Sequence, residues 1–472
     1  MSRAQTIFGP ILNPRANGTV EFTPDGALSC DDAGKIDYAG PANAMPPTLA
    51  ARPQRRSDGV ITPPFLDAHT HLPQHPIRGR FTEGVEGNPP EGRLIAGLNR
   101  NVFPAEARFA DVNPVEYVAD AFRRDTMANG VVGGAAYVTV HAHATRVASL
   151  GHYWFTSLVL MNMNCPSNLR TNEATLERDV EELAFLGSPL GVPSPNRFIL
   201  TDRFAVSVDT ALRKRAVLLA EKHHLRMQTH LNEQLREKSL VENTLYSSYD
   251  SYTDVYRRDG LLDRDPILAH CVHMSGAEFD LVAEKRASIA HCPTSNTLLG
   301  SGIMSLDEVV SRGIDYAICT DVGASPTVSL LAEMAQFLKV HAGRSKRATP
   351  SEALFRTTLA PARILHMDPW VGSFDPGKLL SFIEIDAPAL IPSAASADDV
   401  IASLLSHPNP APIRTALEEL QRAGLEGGPA LALLDRDVRD TAKRLEHRIA
   451  RVTLYGVIVY NRPTPPGGSS SS

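Results

Sequence analysis

Apolar and polar positions along this chain follow two rhythms. From Val60 to about residue 369, short apolar runs alternate with helix-like stretches, and most of these runs close on a polar residue. The first is the apolar stretch beginning at Val60, read as one buried strand that leads to His69 and His71. Then come Gly130–Val140, Tyr153–Met161, Arg197–Leu200, Leu225–His230, Pro266–His270, Ala287–His291 and Asp315–Thr320. Apolar runs of this length between helical stretches read as strands of a parallel sheet. About eight such units predict an α/β fold, a closed (β/α)8 barrel of the TIM type, over residues 61–369.

The flanks differ. Residues 1–60 mix strand-like runs with turn clusters such as Asn13-Pro-Arg-Ala-Asn-Gly18. Strand character returns at Phe374–Ile385 and again at Arg451–Tyr460. The two ends are therefore expected to pair as a small β-sandwich accessory domain, residues 1–60 with 370–462. A helical insertion over about 386–450 holds no catalytic cluster and is expected to cover the accessory sheet or mediate assembly. The Pro/Gly/Ser tail at 463–472 is expected to be disordered. No internal repeat is visible.

Composition narrows the function classes. A hydrophobic share of 43%, a charged share of 21% and a formal net charge of −6 are those of a globular protein without a nucleic-acid surface. No apolar run is long enough to span a bilayer, and the first residues lack a signal-peptide core. Five scattered cysteines (Cys30, Cys165, Cys271, Cys292, Cys319) read as reduced thiols, which suits the cytoplasm.

In such a barrel the chemistry sits at the C-terminal ends of the strands. Side chains i and i+2 of a strand share a face, so His69 and His71 present two imidazoles side by side. The fifth run ends in His230, with Glu233 three residues on; the sixth ends in His270, and Asp321 follows the eighth. His69, His71, His230 and Asp321 are four donors suited to one Zn2+, and iron accepts the same set. Thr201-Asp-Arg-Phe204 ends the fourth run where a bridging lysine would be needed for two metals, which favours a single ion. His273 and His291 compete with His270 on sequence alone.

These blocks resemble the amidohydrolase superfamily, and within it the guanine deaminase-like aminohydrolases. The resemblance rests on Pro64-Phe-Leu-Asp-Ala-His-Thr-His71 with Gln74, Phe103-Pro-Ala-Glu-Ala-Arg-Phe109, Asp202-Arg-Phe204 and Thr229-His-Leu-Asn-Glu233. It continues through Leu268-Ala-His270, Ser288-Ile-Ala-His-Cys-Pro-Thr-Ser-Asn296 and Cys319-Thr-Asp-Val-Gly323, and spans about residues 60–380.

The resemblance implies zinc-dependent hydrolytic deamination of an aminated heterocycle, guanine to xanthine and ammonia, in a homodimer. Asp321 is then ligand and base, Glu233 the acid that protonates the ring nitrogen, and His270 the partner of the tetrahedral centre. Arg203 is expected to donate to a ring carbonyl, with a barrel-rim salt bridge as its alternative. Gln74 offers a donor and an acceptor to the ring edge. Phe204 either stacks on the ring or belongs to the core.

One departure from the family pattern is Gly97, which stands where a tryptophan is expected and predicts a wider pocket. Pterins, 8-oxoguanine, adenosine derivatives and triazines are the alternative rings. An idle scaffold barrel is the rival from another class, weakened because every expected ligand and acid is present. A cyclic-amide hydrolase is disfavoured by the missing lysine. The turn-rich segment Gly84–Arg93 is expected to act as a lid, and Arg80 beside it as a surface residue.

Overall fold

The computed structural model describes residues 2–87, 89–148, 151–188, 195–386, 395–422 and 428–463. The tail beyond 463 and parts of the 386–450 insertion lie outside these residues.

Eight parallel strands form the barrel: β6 (Phe65–His71), β7 (Val131–Tyr137), β8 (Tyr153–Leu160), β9 (Phe198–Asp202), β10 (Met227–Leu231), β11 (Ile267–His270), β12 (Ser288–His291) and β13 (Tyr316–Ile318). Their spatial order is their chain order. They are buried almost throughout, which is why they read as continuous apolar runs rather than alternating ones. Between β6 and β13 the barrel is closed by loop hydrogen bonds rather than a strand ladder. Asp321 N donates to His69 O at 3.0 Å, and His71 N donates to Val322 O at 2.7 Å.

The other sheet joins both chain ends. It contains β1 (Gln5–Pro14), β2 (Val20–Cys30), β3 (Ile36–Pro41), β4 (Gln54–Arg56), β5 (Val60–Thr62), β14 (Phe382–Ile385), β15 (Ile449–Leu454) and β16 (Val457–Asn461). Its strands are hydrogen-bonded into one mixed sheet over a small core that includes Ile7, Leu28, Phe374 and Phe382. The stretch from Val60, expected as one strand, is two. Pro63 and Pro64 lack amide donors and interrupt it. Val60–Thr62 pair with β14 and Ile61 with β1, while Phe65–His71 pair with β7. The chain passes from one sheet to the other at this proline pair.

The insertion is helical at Ala397–Leu404, Ala411–Arg422 and Gly428–Leu445. Ile413, Ala416, Ala430 and Leu434 pack with Val340 of the barrel helix Leu330–His341. Lys339 Nζ reaches Asp437 at 2.7 Å and Thr441 at 2.7 Å. Arg439 donates to Gly79 O at 2.7 Å, near the barrel mouth. The insertion therefore contributes a wall beside that mouth as well as a cover for the barrel flank. No described helix is long and apolar enough to cross a membrane.

Candidate active site

Strand ends bring the predicted donors together. His69, His71, His230 and Asp321 are all buried, and their ligand atoms lie within 4.8 Å of one another. His69 Nε2 and His71 Nε2 are each 3.2 Å from Asp321 Oδ1. His230 Nδ1 donates to Arg203 O at 2.5 Å, which leaves Nε2 aimed at the cluster, 3.3 Å from His71 Nε2. Such a bond fixes the tautomer of a ligating imidazole. Left-handed backbone at Asp321 (φ 52°) and His270 (φ 71°), rare for residues with a Cβ, turns the chain sharply where these side chains enter the site.

Asp67 ties the two edges of this cluster. Its Oδ1 accepts from His69 N at 3.3 Å and Thr320 N at 3.1 Å, and its Oδ2 accepts from Thr320 Oγ1 at 2.5 Å. Neither Asp67 nor Thr320 was singled out from sequence.

Electrostatics suit cation binding. Burial lowers the pKa of His69, of His71 to about 4, and of His230 well below the imidazole range. The three rings are therefore neutral and able to ligate at neutral pH. Burial opposes ionisation of Asp321, but the adjacent His69 and His71 rings outweigh it and hold its carboxyl well below the usual range. His69 Nε2 is buried without a hydrogen-bond partner. A buried polar atom left unpaired among convergent donors fits a divalent cation held by three nitrogens and one carboxylate.

Beside the cluster stand Glu233 and His270. Glu233 is buried, and its Oε1 accepts from Ser301 Oγ at 3.1 Å. Burial, then the charge of Asp321, pushes its carboxyl up to about 8. His270 Nδ1 meets Asn296 Oδ1 at 2.9 Å. Its Nε2 faces Glu233 Oε2 at 3.5 Å and Asp321 Oδ2 at 4.0 Å. The competing histidines point elsewhere: His273 bonds Ser301 O, and His291 pairs with His341.

The remaining candidates converge on a residue that had no assigned role. Arg203 Nη1 donates to Glu106 Oε2 at 2.6 Å, and Gln74 Nε2 donates to Glu106 Oε1 at 2.9 Å. All three are buried, so one carboxylate orients both recognition side chains. The Arg203 guanidinium also lies over the Phe103 ring, 5.3 Å from its centroid. The signal for Glu106 was the Phe-Pro-Ala-Glu block itself; Ser301 had none. Arg203, Gln74, Phe204, Glu233, His270 and Asp321 all line one cavity. Phe204 is 4% exposed and both faces this cavity and packs in the core. Arg80 pairs with Glu83 on the surface.

Gly97 does not widen this cavity. Its backbone is ordinary right-handed helix (φ −66°, ψ −41°), so no glycine is needed for conformation. A Cβ there would lie 2.6 Å from Cδ1 and Cε1 of Phe81 and 2.9 Å from its carbonyl oxygen. The Phe81 ring occupies the space, and the expectation of an opened pocket is corrected.

Comparison with known proteins agrees with this geometry. Residues 60–413 match the model of the amidohydrolase family. The chain is 29% identical over 380 residues to guanine deaminase of Escherichia coli K12, covering 78% of this chain and 83% of that one. It is 31% identical over 397 residues to a probable guanine deaminase of Deinococcus radiodurans, covering 81% and 86%. Among solved structures, guanine deaminase from C. acetobutylicum with guanine in its active site superposes with a TM-score of 0.76 at 23% identity, covering 97% of this chain and all of that one.

Proposed function

This chain belongs to the amidohydrolase family, and from that premise we propose that it is a zinc-dependent aminohydrolase converting guanine and water to xanthine and ammonia. The observation that carries the proposal is a cavity lined by both recognition and acid–base side chains. Arg203 and Gln74, both held by Glu106, line the same cavity as His71, His230, Asp321, Glu233 and His270. Relatives at 29–31% identity that carry the guanine deaminase name support the choice of ring.

A divalent cation held by His69, His71, His230 and Asp321 would make nucleophilic hydroxide available near neutral pH. Arg203 donates to the ring carbonyl, its planar fork suiting an oxygen acceptor better than an ammonium would. Gln74 fixes the adjoining ring edge, and Phe204 contacts the ring face. Glu233, protonated at neutral pH, transfers its proton to the ring nitrogen beside the carbon bearing the amino group. Asp321 Oδ2 takes one proton from water. Glu233, now ionised, takes the proton left on the attacking oxygen and passes it to the departing amino group as the C–N bond breaks and the carbonyl forms. The proton on Asp321 then returns to Glu233. His270, anchored by Asn296, hydrogen-bonds the tetrahedral centre. Serine donation to Glu233 Oε1 leaves Oε2 on the His270 side for the transfer.

The proposal includes one Zn2+ per subunit, a homodimer and a cytoplasmic role in purine catabolism; elemental analysis and sedimentation check the first two. The test of the reaction is ammonia release by zinc-loaded protein on guanine, 8-oxoguanine, pterins, adenosine derivatives and triazines. Guanine is expected to be the best substrate. Turnover of another ring with silence on guanine reassigns the substrate, and silence on all rings with metal bound overturns the enzyme reading.

A further inference from the structure

Phe81 stands between two spaces. It lines the inner cavity together with Glu233, His71, His230 and Asp321. It also lines a larger outer cleft of about 590 Å3, whose wall includes Leu431 and Arg439 of the insertion. Phe81 and Leu299 border both. The Phe81 side chain is buried at 6% exposure, although its chain segment lies at the surface.

The ring and its backbone segment are held at three places. Gly97 gives it room: any larger residue at 97 meets the ring and the Phe81 carbonyl. Asn101 Nδ2 donates to Phe81 O at 2.9 Å and to Glu83 O at 3.0 Å, pinning the backbone. Gly79 N donates to Gly323 O at 2.8 Å, two residues after Asp321, so the segment is anchored beside the cluster. Gly97 and Asn101 flank and enter the π-helical turn Leu98–Val102, an irregularity often found at functional sites.

We infer that Phe81, seated on Gly97, is a specificity-determining wall that restricts the site to a bare ring. It excludes rings that carry a bulky N-substituent such as a ribosyl group. The inference rests on the purine reading above. Removing the ring joins the inner cavity to the outer cleft, where a substituent has room. A hydrophobic wall discriminates by steric exclusion, and its truncation is expected to relax selection rather than abolish chemistry.

The test compares guanine with guanosine as substrates of metal-saturated wild type, Phe81→Ala, Gly97→Ala and the double variant. Wild type is expected to favour guanine strongly. Phe81→Ala is expected to raise the guanosine-to-guanine ratio of kcat/KM at least tenfold. Gly97→Ala is expected to lower guanine turnover. The double variant is expected to recover part of that loss, a non-additivity that direct contact predicts. An unchanged ratio in Phe81→Ala overturns the wall, and additive effects overturn the seat on Gly97. Silence of the wild type on guanine defeats the purine reading instead. The same ratio is then read between the ring that is deaminated and its N-substituted derivative.

Discussion

Replacing Glu106 by glutamine tests the recognition cluster most directly. The substitution keeps the shape and removes the charge that faces Arg203 Nη1 at 2.6 Å and Gln74 Nε2 at 2.9 Å. The pair is sealed from solvent, with side chains 4% and 7% exposed, so water cannot replace the lost acceptor. A hydrogen bond to a charged group is worth about 1.5–3 kcal/mol. If that energy holds Arg203 and Gln74 in their substrate-binding orientation, KM for guanine rises about 10- to 150-fold. Glu233, His270 and the metal ligands do not touch Glu106, so kcat is expected to fall much less. Arg203 would also become an unbalanced buried cation, and an anionic ring such as orotate is expected to inhibit the variant more tightly than wild type. Steady-state ammonia release with and without orotate reads all three effects. KM within twofold of wild type, or a fall in kcat alone, refutes the positioning role.

Three further outcomes follow from the site. Glu233→Gln is expected to retain its metal by elemental analysis while kcat drops by about 10²–10⁴, the usual worth of a general acid. Chelation is expected to abolish turnover and lower the thermal midpoint; at free metal 100 times Kd the bound ion contributes about 2.7 kcal/mol, so an unchanged midpoint contradicts the site. Burial, above all, raises the Glu237 carboxyl from 4.5 to about 7. Its folded value is above its unfolded one, so its stabilisation is complete below about pH 4.5 and is lost as pH rises to 7. That loss is about 3 kcal/mol, and chemical denaturation of Glu237→Gln at equal metal loading is expected to show a shallower decline over this range.

The barrel was legible because strands buried on both faces write themselves as apolar runs, and because function at strand ends places polar residues at the close of those runs. The metal-ligand candidates His69, His71, His230 and Asp321 came from that rule, and the structure brings them together. What stayed hidden depends on contacts between distant segments. Ser301 meets Glu233 across 68 residues, and Glu106 meets Arg203 across 97. Nothing local in either segment announces the other. Gly97 misled for a related reason: an absent side chain reads as empty space until the residue that fills it, Phe81, is seen. The proline pair at 63–64 was visible, yet only pairing with β14 and β1 reveals that it moves the chain from one sheet to the other.

The seam between β6 and β13 gives assembly a direction. Asp67 and Thr320, which stitch it, are 253 residues apart. Closing a loop of that length costs roughly 5 kcal/mol of chain entropy, more than a single hydrogen bond returns. The clasp therefore closes only with many contacts in place, and late, as long-range pairing generally does. His69 and His71 emerge from the ribosome early and Asp321 after most of the barrel, so a growing chain has no complete donor set until its eighth strand is made. Cation capture then ties the first strand to the last, and a bound ion marks a barrel whose ends have met.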